Sequence, residues 1–280
     1  MPGKSLRELR RRIRAVTNIA KLTDAMKKVA AARLRRAQRQ LFSTRPYIEK
    51  LFSMTESILF PSLVHPFFEQ REVKRGGIIV ITSERGLCGG YNMNVLRQAE
   101  NLARDLPDVL LFVVGRVGLR YFTGRNYKIS YSCPFPSIGF APQDILSLAE
   151  VSLGAFLKRE IDTLYIVYTH FYSPGGLIPT VRRLLPMEKK APERDVISEP
   201  SLKVLLEDLL PHYFHMMLFQ AMLEAMTSEQ SARFVAMDMA TQNANRLLQD
   251  LRIRYNKERQ ALITKEITEI MGGAEVLKEG

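Results

Sequence analysis

The first candidate for a chemical site in this chain is a glycine-rich loop. Residues 83–92, SERGLCGGYN, follow an apolar run and precede a helical pattern. A glycine-rich turn from strand to helix can hold a phosphate on its backbone N–H groups. The loop contains neither GxxxxGK[ST] nor GxGxxG, however, so we interpret it as a tight turn that the fold requires.

Cysteine and histidine are the remaining candidates, as a nucleophile or as metal ligands. Cys88 lies in the loop with Arg85 as its basic neighbour and no histidine or second cysteine close in sequence, which favours a space-filling thiol. His212 and His215 are three residues apart on a predicted helix, but no further cysteine or histidine lies near them in sequence. We therefore predict no metal site, no cofactor and no catalytic residue in this chain.

Positive charge is concentrated in the first forty residues. This segment holds thirteen basic residues against Glu8 and Asp24, a net charge of +11, and the whole chain has a net charge of +12. The basic residues are Lys4, Arg7, Arg10, Arg11, Arg12, Arg14, Lys21, Lys27, Lys28, Arg33, Arg35, Arg36 and Arg39. Charge of one sign along one segment favours an acidic partner surface.

Composition limits the class of protein. The chain has 280 residues, of which 46% are hydrophobic and 25% are charged, as is usual for a soluble globular protein. Its two cysteines, Cys88 and Cys133, are too few for a disulfide framework, so we expect a reducing compartment. We also expect no membrane span, because no apolar run approaches 18 residues, and no signal peptide, because the first residues lack an apolar core.

A long helix is predicted for residues 211–277, which contain no further proline and no glycine before Gly272. Apolar side chains recur there at helical spacing at Ala240, Ala244, Leu247, Leu251 and Tyr255. About 65 residues of helix would reach on the order of 100 Å, which is wider than a single domain. Such a helix must project as a rod and needs a partner helix to bury its apolar stripe.

The N-terminal segment supplies that partner. Ser5 is the predicted helix N-cap with Glu8 as its capping-box partner, and Pro46 is expected to kink or divide the helix before Pro61 and Pro66 end it. The predicted apolar seam is Leu6, Leu9, Ile13, Val16, Ile19, Leu22, Met26 and Val29. Two long helices at opposite ends of the chain can pair antiparallel.

Between these helices the pattern is that of an α/β domain. Apolar runs at 76–83, 108–115 and 162–171 predict strands covered on both faces, with helices at 92–104, 117–122 and 142–159. Residues 128–132 predict a short strand, residues 180–186 an edge strand and residues 187–200 a polar loop. The fold class is thus a Rossmann-like α/β domain with a parallel-rich sheet plus a long antiparallel coiled coil. The predicted divisions are 1–60 (N-terminal coiled-coil helix), 75–190 (α/β domain) and 200–278 (C-terminal coiled-coil helix).

The C-terminal end of the second helix is apolar. Ile263, Ile267, Ile270 and Met271 lie beyond the residues that the shorter N-terminal helix is expected to cover. An unpaired apolar end implies a socket in another molecule.

Three segments together resemble the gamma subunits of F-type ATP synthases, of the bacterial type. They are SLRELRRRIRAVTNIAKLTDAMKKVAAARLRRAQ near the N-terminus, SERGLCGGYN in the middle, and SEQSARFVAMDMATQNAN with YNKERQALITKEITEIMGGA near the C-terminus. The match keeps its order over essentially the whole chain. It implies a central rotor shaft that couples ion flow through a membrane ring to ATP synthesis or hydrolysis on other chains.

The resemblance also implies partners and a location. The helix pair would enter a hexamer of alpha and beta subunits as one copy per complex, and the α/β domain would lie against the epsilon subunit and the ring of c subunits. Contact with the membrane would be made through these partners alone, at the cytoplasmic face of a bacterial inner membrane. No long insert with paired cysteines follows Asn126, so thiol control of rotation is not expected.

Coupling residues are implied position by position from the same resemblance. Arg259 and Gln260 resemble a pair that hydrogen-bonds a loop of the beta subunit, and Arg259 is the strongest candidate because guanidinium offers several donors at fixed geometry. The full set of proposed contacts to beta is Met26, Lys27, Arg233, Arg259, Gln260, Thr264 and Glu266. The four apolar residues from Ile263 to Met271 named above would form a bearing at the tip.

Two other classes of function remain as alternatives. A basic coiled coil is compatible with nucleic-acid binding, although no aromatic residue precedes Phe42 and the cations lie on several helix faces. An enzyme built on the α/β domain is disfavoured, because no nucleophile motif or pair of acids follows a strand.

Overall fold

The computed structural model describes residues 2–57, 65–136, 138–173, 176–188 and 202–276, with backbone alone at 2–5, 56–57, 202–204 and 272–276. The helices are α1 (Pro2–Ser57), α2 (Tyr91–Arg104), α3 (Arg116–Thr123), α4 (Leu146–Leu157) and α5 (Leu202–Val276), with short 3-10 turns at Pro66–Phe68 and Pro142–Ile145. The strands are β1 (Gly76–Ile81), β2 (Val109–Val114), β3 (Ile129–Cys133), β4 (Thr163–Ser173) and β5 (Gly176–Leu185). Long helices at both ends and a parallel-rich sheet between them confirm the predicted fold class.

The sheet has five strands in the order β3-β2-β1-β4-β5. Strands β1 to β4 pair in parallel, and β5 pairs antiparallel with β4 at the edge. Alternate residues of β1 enter different cores: Ile78 and Val80 pack with α2 and α3, and Ile79 and Ile81 pack in the larger core. Both faces of β1 are therefore covered, which explains its unbroken apolar sequence.

Contacts divide the chain into two compact units. The first consists of Met1–Val29 and Ala236–Gly280, and the second is Ala30–Val235. The second unit contains the sheet, and its larger core includes Leu41 and Ile48 of α1 together with Phe214 and Leu218 of α5. Each long helix thus contributes one part to each unit.

The first unit is an antiparallel helix pair. Contacts join Arg10 to Tyr255, Thr23 to Thr241 and Lys27 to Asp238, so residue numbers rise on one helix as they fall on the other. The antiparallel pairing predicted from the sequence is therefore present in this unit.

The predicted helix boundaries require correction. Helix α1 begins at Pro2, before the predicted cap Ser5, and it continues without division through Pro46. It ends at Ser57, and Pro61 lies outside the described residues. Helix α5 begins at Leu202 and contains Pro211 in its interior. Proline removes one helical N–H, but the buried neighbours Leu210 and Phe214 hold the segment in place, so tertiary packing outweighs the local cost.

The predicted seam is wrong at three positions in its second half. Ile19, Leu22 and Val29 are exposed, and the buried positions are the smaller Ala20 and Thr23. On α5 the prediction chose Leu247, which is 47% exposed, whereas the neighbouring Leu248 is buried. The predicted seam consists of the largest apolar side chains, but closely packed helices place small side chains between them.

Candidate functional site

A second apolar face runs along α1 beside the seam. Ile19, Leu22, Met26 and Val29 are spaced by three or four residues, and we call them the outer stripe. At 100° per residue the outer stripe lies about 110° around the helix from the seam. Leu22 is 61% exposed, Ile19 and Val29 are about as open, and Met26 is half-buried. A contiguous apolar stripe of this kind is a surface for another molecule.

Lys27 points into the helix pair, although it directly follows Met26. Its ammonium lies 3.2 Å from Asp238 Oδ1 and 3.7 Å from Asp24 Oδ1. Lys28 lies 2.8 Å from the other oxygen of Asp24, and the hydrogen bond it donates lowers the pKa of that carboxyl. Met26 and Lys27 therefore differ in environment, one on the outer stripe and the other between helices.

Arg233 is held inside the second unit. Its side chain is 11% exposed and donates to Glu229 Oε1 at 2.6 Å, and Glu229 is 6% exposed. The same guanidinium nitrogen lies 3.4 Å from Arg85 O and 3.3 Å from Gly86 O in the glycine-rich loop. The geometry ties α5 to that loop, so any influence of Arg233 on a partner passes through the loop or the helix.

Hydrogen bonds within the glycine-rich loop satisfy its buried polar groups. The Ser83 N–H donates to Asn92 Oδ1 at 2.9 Å, and Asn92 Nδ2 donates to Ser83 Oγ at 2.7 Å and to Cys88 Sγ at 3.2 Å. Gly89 has φ +58°, a left-handed conformation that glycine adopts without strain. Burial raises the pKa of the Cys88 thiol. The loop is built as a turn with a buried thiol, and these contacts provide no phosphate cradle.

The polar candidates near the C-terminus are open to solvent. Arg259, Gln260, Thr264 and Glu266 are all exposed on α5, and the described contacts there are within the helix, such as Thr268 Oγ donating to Thr264 O at 2.9 Å. An exposed guanidinium and amide side by side are available to a partner's carboxylate or backbone.

The apolar end of α5 is also exposed. Ile263 is 44% exposed, Ile267 is 53%, Ile270 is 71% and Met271 is 66%. The buried positions of the helix pair end at Leu251, with Tyr255 and Leu262 partly buried. The side chains from Gly272 onward lie outside the described set.

The structure places most of the predicted coupling residues in one of the two units. Six of the seven polar or sulfur-bearing candidates and the whole apolar end belong to the first unit, whereas Arg233 belongs to the second. Asp238, which faces Lys27, and Gln260 are separated by about 33 Å of helix at 1.5 Å per residue. The outer stripe is absent from the sequence-based prediction because its residues are assigned there to the seam. The signal that identifies them is the strict three-four spacing through Ala20, Thr23 and Lys27.

The histidines and the other acids form no site of their own. His212 Nε2 is 3.1 Å from Tyr47 Oη, and His215 Nε2 is 2.7 Å from Pro142 O. Across the described ranges, no three histidine, cysteine or acidic side chains are grouped so as to hold a metal ion. In that part of the chain no helix has the length and apolar character needed to cross a bilayer.

Together these features define a class of protein. It has an antiparallel helix pair with apolar and polar side chains exposed along it, and an α/β domain whose glycine-rich loop serves as a structural turn. Its exposed apolar and polar side chains are candidates for contacts with other macromolecules.

Comparison with known proteins gives the family. The sequence profile described as ATP synthase matches residues 5–277. The ATP synthase gamma chain of Desulforamulus reducens is 41% identical over 283 residues, covering 98% of this chain and 99% of the relative. That of Brevibacillus brevis is 40% identical over 284 residues (97% and 98%), and that of Cupriavidus pinatubonensis is 38% identical over 286 residues (96% and 98%). The chain belongs to the ATP synthase gamma-chain family, and the nucleic-acid hypothesis is left without support.

Solved structures show the same fold. A chain of the Euglena gracilis mitochondrial ATP synthase, from a structure of OSCP, F1 and the c-ring in rotational state 3, is similar with a TM-score of 0.75 at 21% identity. The similarity covers 98% of this chain and 95% of that one. A chain from the central stalk and c-ring of the Tetrahymena thermophila mitochondrial enzyme gives a TM-score of 0.59 at 20% identity, over 78% and 99%.

Proposed function

We propose that this chain is the central-stalk subunit of an F-type ATP synthase and works as a rotor shaft. In this role it couples ion flow through a ring of c subunits to ATP synthesis or hydrolysis at beta subunits, and it carries no catalytic residue itself. The observation that carries the proposal is the set of large apolar side chains exposed along the helix pair.

Those side chains are too numerous and too regular for a helix pair that faces water alone. Besides the outer stripe and the apolar end, the first unit exposes Met239, Leu247 and Ile253. Complete burial of a large apolar side chain contributes about 1.5–3 kcal/mol, and these half-exposed side chains would each contribute a part of that when a partner covers them. A surrounding collar of alpha and beta subunits would cover them on several faces, and apolar contacts permit rotation because they are non-directional.

The charge of α1 supports the same partners. Nearly all of the net positive charge lies in the first forty residues, and many of these cations are exposed on α1. An acidic surface in the surrounding subunits would be attracted to this segment and would orient it. We propose that acidic loops of the beta subunits supply that surface.

The individual contacts are proposed from the family resemblance, and the exposure of each side chain indicates how it would act. Arg259 and Gln260 would hydrogen-bond a beta loop, with Thr264 and Glu266 further along the same helix, and Met26 would contact beta through the outer stripe. The apolar end from Ile263 to Met271 would turn in an apolar collar of the hexamer. Lys27 and Arg233 remain assigned to coupling, but their contacts within the chain mean that each would act mainly by holding its helix.

Membership of the family supports our proposal for the remaining partners and the location. We propose that the α/β domain contacts the epsilon subunit and the ring of c subunits, one copy of this chain being present in each complex. The chain would lie at the cytoplasmic face of a bacterial inner membrane and be attached to it through these subunits.

Purification from native membranes tests this function. The tagged chain, isolated after mild detergent extraction, is expected to bring alpha and beta subunits and magnesium-dependent ATPase activity, with a particle mass that fits one copy per hexamer. Recovery of the chain alone, or with nucleic acid that salt removes, would contradict the proposal. A matched preparation with the tag on an unrelated membrane-associated protein controls for carry-over.

A further inference from the structure

Four polar side chains lie in or at the edge of the apolar seam of the helix pair, where the side chains of Lys27 and Asp238 are 28% and 37% exposed. Thr23 and Lys27 come from α1, and Asp238 and Thr241 come from α5. Thr23 and Thr241 are both buried. Coiled coils place apolar residues at such positions, and a polar residue there usually fixes how the helices are aligned, at some cost in stability.

The two threonines form a direct bond between the helices. Thr241 Oγ donates to Thr23 Oγ at 2.9 Å. Thr23 Oγ has carbonyl acceptors on its own helix, Ile19 O and Ala20 O, both at 3.1 Å. Thr241 Oγ also lies 2.7 Å from Met237 O on its own helix, so its single proton is shared between that carbonyl and Thr23 Oγ. Since hydrogen bonds weaken outside a narrow range of distance and angle, this one is made at a single axial position of the helices.

Charged and polar side chains form a row across the two helices, next to the bond between the threonines. Lys27 Nζ is 3.2 Å from Asp238 Oδ1, and Gln242 Nε2 donates to the other carboxylate oxygen at 2.8 Å. On α1, Asp24 accepts a hydrogen bond from Lys28 at 2.8 Å, and its other oxygen lies 3.7 Å from Lys27 Nζ. The Lys27–Asp238 contact is the one in this row that joins the two helices. The remaining contacts position the two charges that make it.

The seam beside the threonines combines small and large apolar side chains, since Leu248 is buried there with Ile13 and Val16 packed against the same cluster. Ala20 and Ala244 are buried beside the threonines, and both side chains are a single methyl group. Small apolar side chains fill shallow holes, and their burial is non-directional, so it depends weakly on a shift along the axis. A directional contact at this point therefore adds an axial alignment that the two alanines do not supply.

We propose that Thr23, Lys27, Asp238 and Thr241 form a polar pin that fixes the axial position of α1 against α5 in the first unit. The pin is a property of this chain alone. Its consequence for a shaft, that the helices do not slide past each other under torque, rests on the proposed function. It gives Lys27 a role inside the helix pair, distinct from a contact with another subunit.

Charge reversal tests the pin through amide hydrogen exchange of the full chain. Lys27→Asp places a third carboxylate beside Asp24 and Asp238, and Asp238→Lys sets two ammonium groups against each other. Each single change is expected to speed exchange of the amides at 16–28 and 237–248 by about fivefold. The double variant, which restores an opposite-charge pair, is expected to return exchange to within about twofold of the wild type.

Lys28→Asp is the matched control. It makes the same change of charge at the next residue, but Lys28 is exposed and contacts Asp24 on its own helix. It should leave exchange on α5 unchanged. If Lys27→Asp prevents purification, the cycle is repeated with Lys27→Gln and Asp238→Asn, each expected to give a smaller acceleration.

Two results would overturn the pin: no recovery in the double variant, or equal acceleration by Lys28→Asp. The measurement is made without partner subunits, so it is independent of the proposed function. A chain that did not assemble into an ATPase could still show the recovery, and an assembled one could lack it.

Discussion

Helix α5 is fully buried in one part of its length and partly exposed in another. In the second unit every residue from 221 to 231 is buried, including Glu224, Ser228 and Glu229. In the first unit the buried positions of the same helix recur every three or four residues, and Met239, Leu247 and Ile253 are exposed. Polar groups are inside in one region and apolar groups are outside in the other.

The difference separates residues that maintain the fold from residues free to contact partners. The buried polar groups of α5 have defined partners: Glu224 Oε2 is 2.6 Å from His170 Nδ1, Ser228 Oγ donates to Thr169 O at 3.0 Å, and Glu229 accepts from Arg233. Removing one partner there leaves a buried group without its bond. The exposed apolar side chains of the first unit are unlike this, because substituting them removes no described internal support.

The largest effect on stability is expected at the buried ion pair. Arg233→Met leaves the Glu229 carboxylate buried without its charge partner and should lower the free energy of unfolding by about 3–5 kcal/mol. Urea denaturation of the full chain, followed by circular dichroism, measures it. Arg252→Met, at an exposed position of the same helix, is the control and should cost less than about 0.5 kcal/mol. Equal losses of unfolding free energy in the two variants would contradict the difference between the buried and exposed parts of α5.

A smaller and more local effect is expected in the helix pair. Leu251→Asp puts an uncompensated charge at a buried seam position and should cost about 2–4 kcal/mol. Leu247→Asp makes the same substitution one turn earlier at an exposed position and should be close to neutral. Thermal unfolding and hydrogen exchange of residues 237–255 compare the two variants. If Leu247→Asp were the more damaging, the seam would have to be reassigned.

The alkylation rates of two thiols, one in each unit, compare the burial of the two regions without unfolding the chain. Burial raises the pKa of Cys133 to about 11 from the ordinary 9.0, since the thiolate is the form that desolvation disfavours. At pH 8 its alkylation should be about a hundredfold slower than that of a free thiol and should rise about tenfold per pH unit. An engineered Ile267→Cys at the exposed end of α5 should react at the rate of a free thiol. Iodoacetamide labelling read by mass spectrometry gives both rates, and fast labelling of Cys133 at pH 8 would contradict its described burial.

The sheet and the existence of both long helices could be predicted from the sequence. A short continuous apolar run such as that of β1 indicates a strand covered on both faces. Apolar residues at helical spacing over tens of positions indicate a long helix. The edge position of β5 was likewise indicated by its mixed polarity, in Thr180, Arg182 and Arg183. In these elements the local sequence pattern and the tertiary packing favour the same structure.

The seam and the helix starts could not be predicted in the same way. Whether Ile19 or Ala20 faces the partner helix depends on how closely the helices approach, which a hydrophobic pattern does not contain. Pro211 within α5 depends on packing from residues distant in sequence. The inward orientation of Lys27 depends on Asp238, which lies more than two hundred positions away along the chain.

The smallest effect on the fold, and the largest on function, is expected from Arg259→Ala with Gln260→Ala. Both side chains are exposed, so the complex should assemble with unchanged stability. The matched control is Gln249→Ala with Arg252→Ala, an exposed pair on the same helix. The decisive measurement is ATP-driven ion uptake per ATP hydrolysed in inverted membrane vesicles, followed with a pH indicator and with radiolabelled sodium. We expect this ratio to fall for the Arg259 and Gln260 variant and to hold for the control. A wild-type ratio in the first variant would contradict the coupling role of this surface.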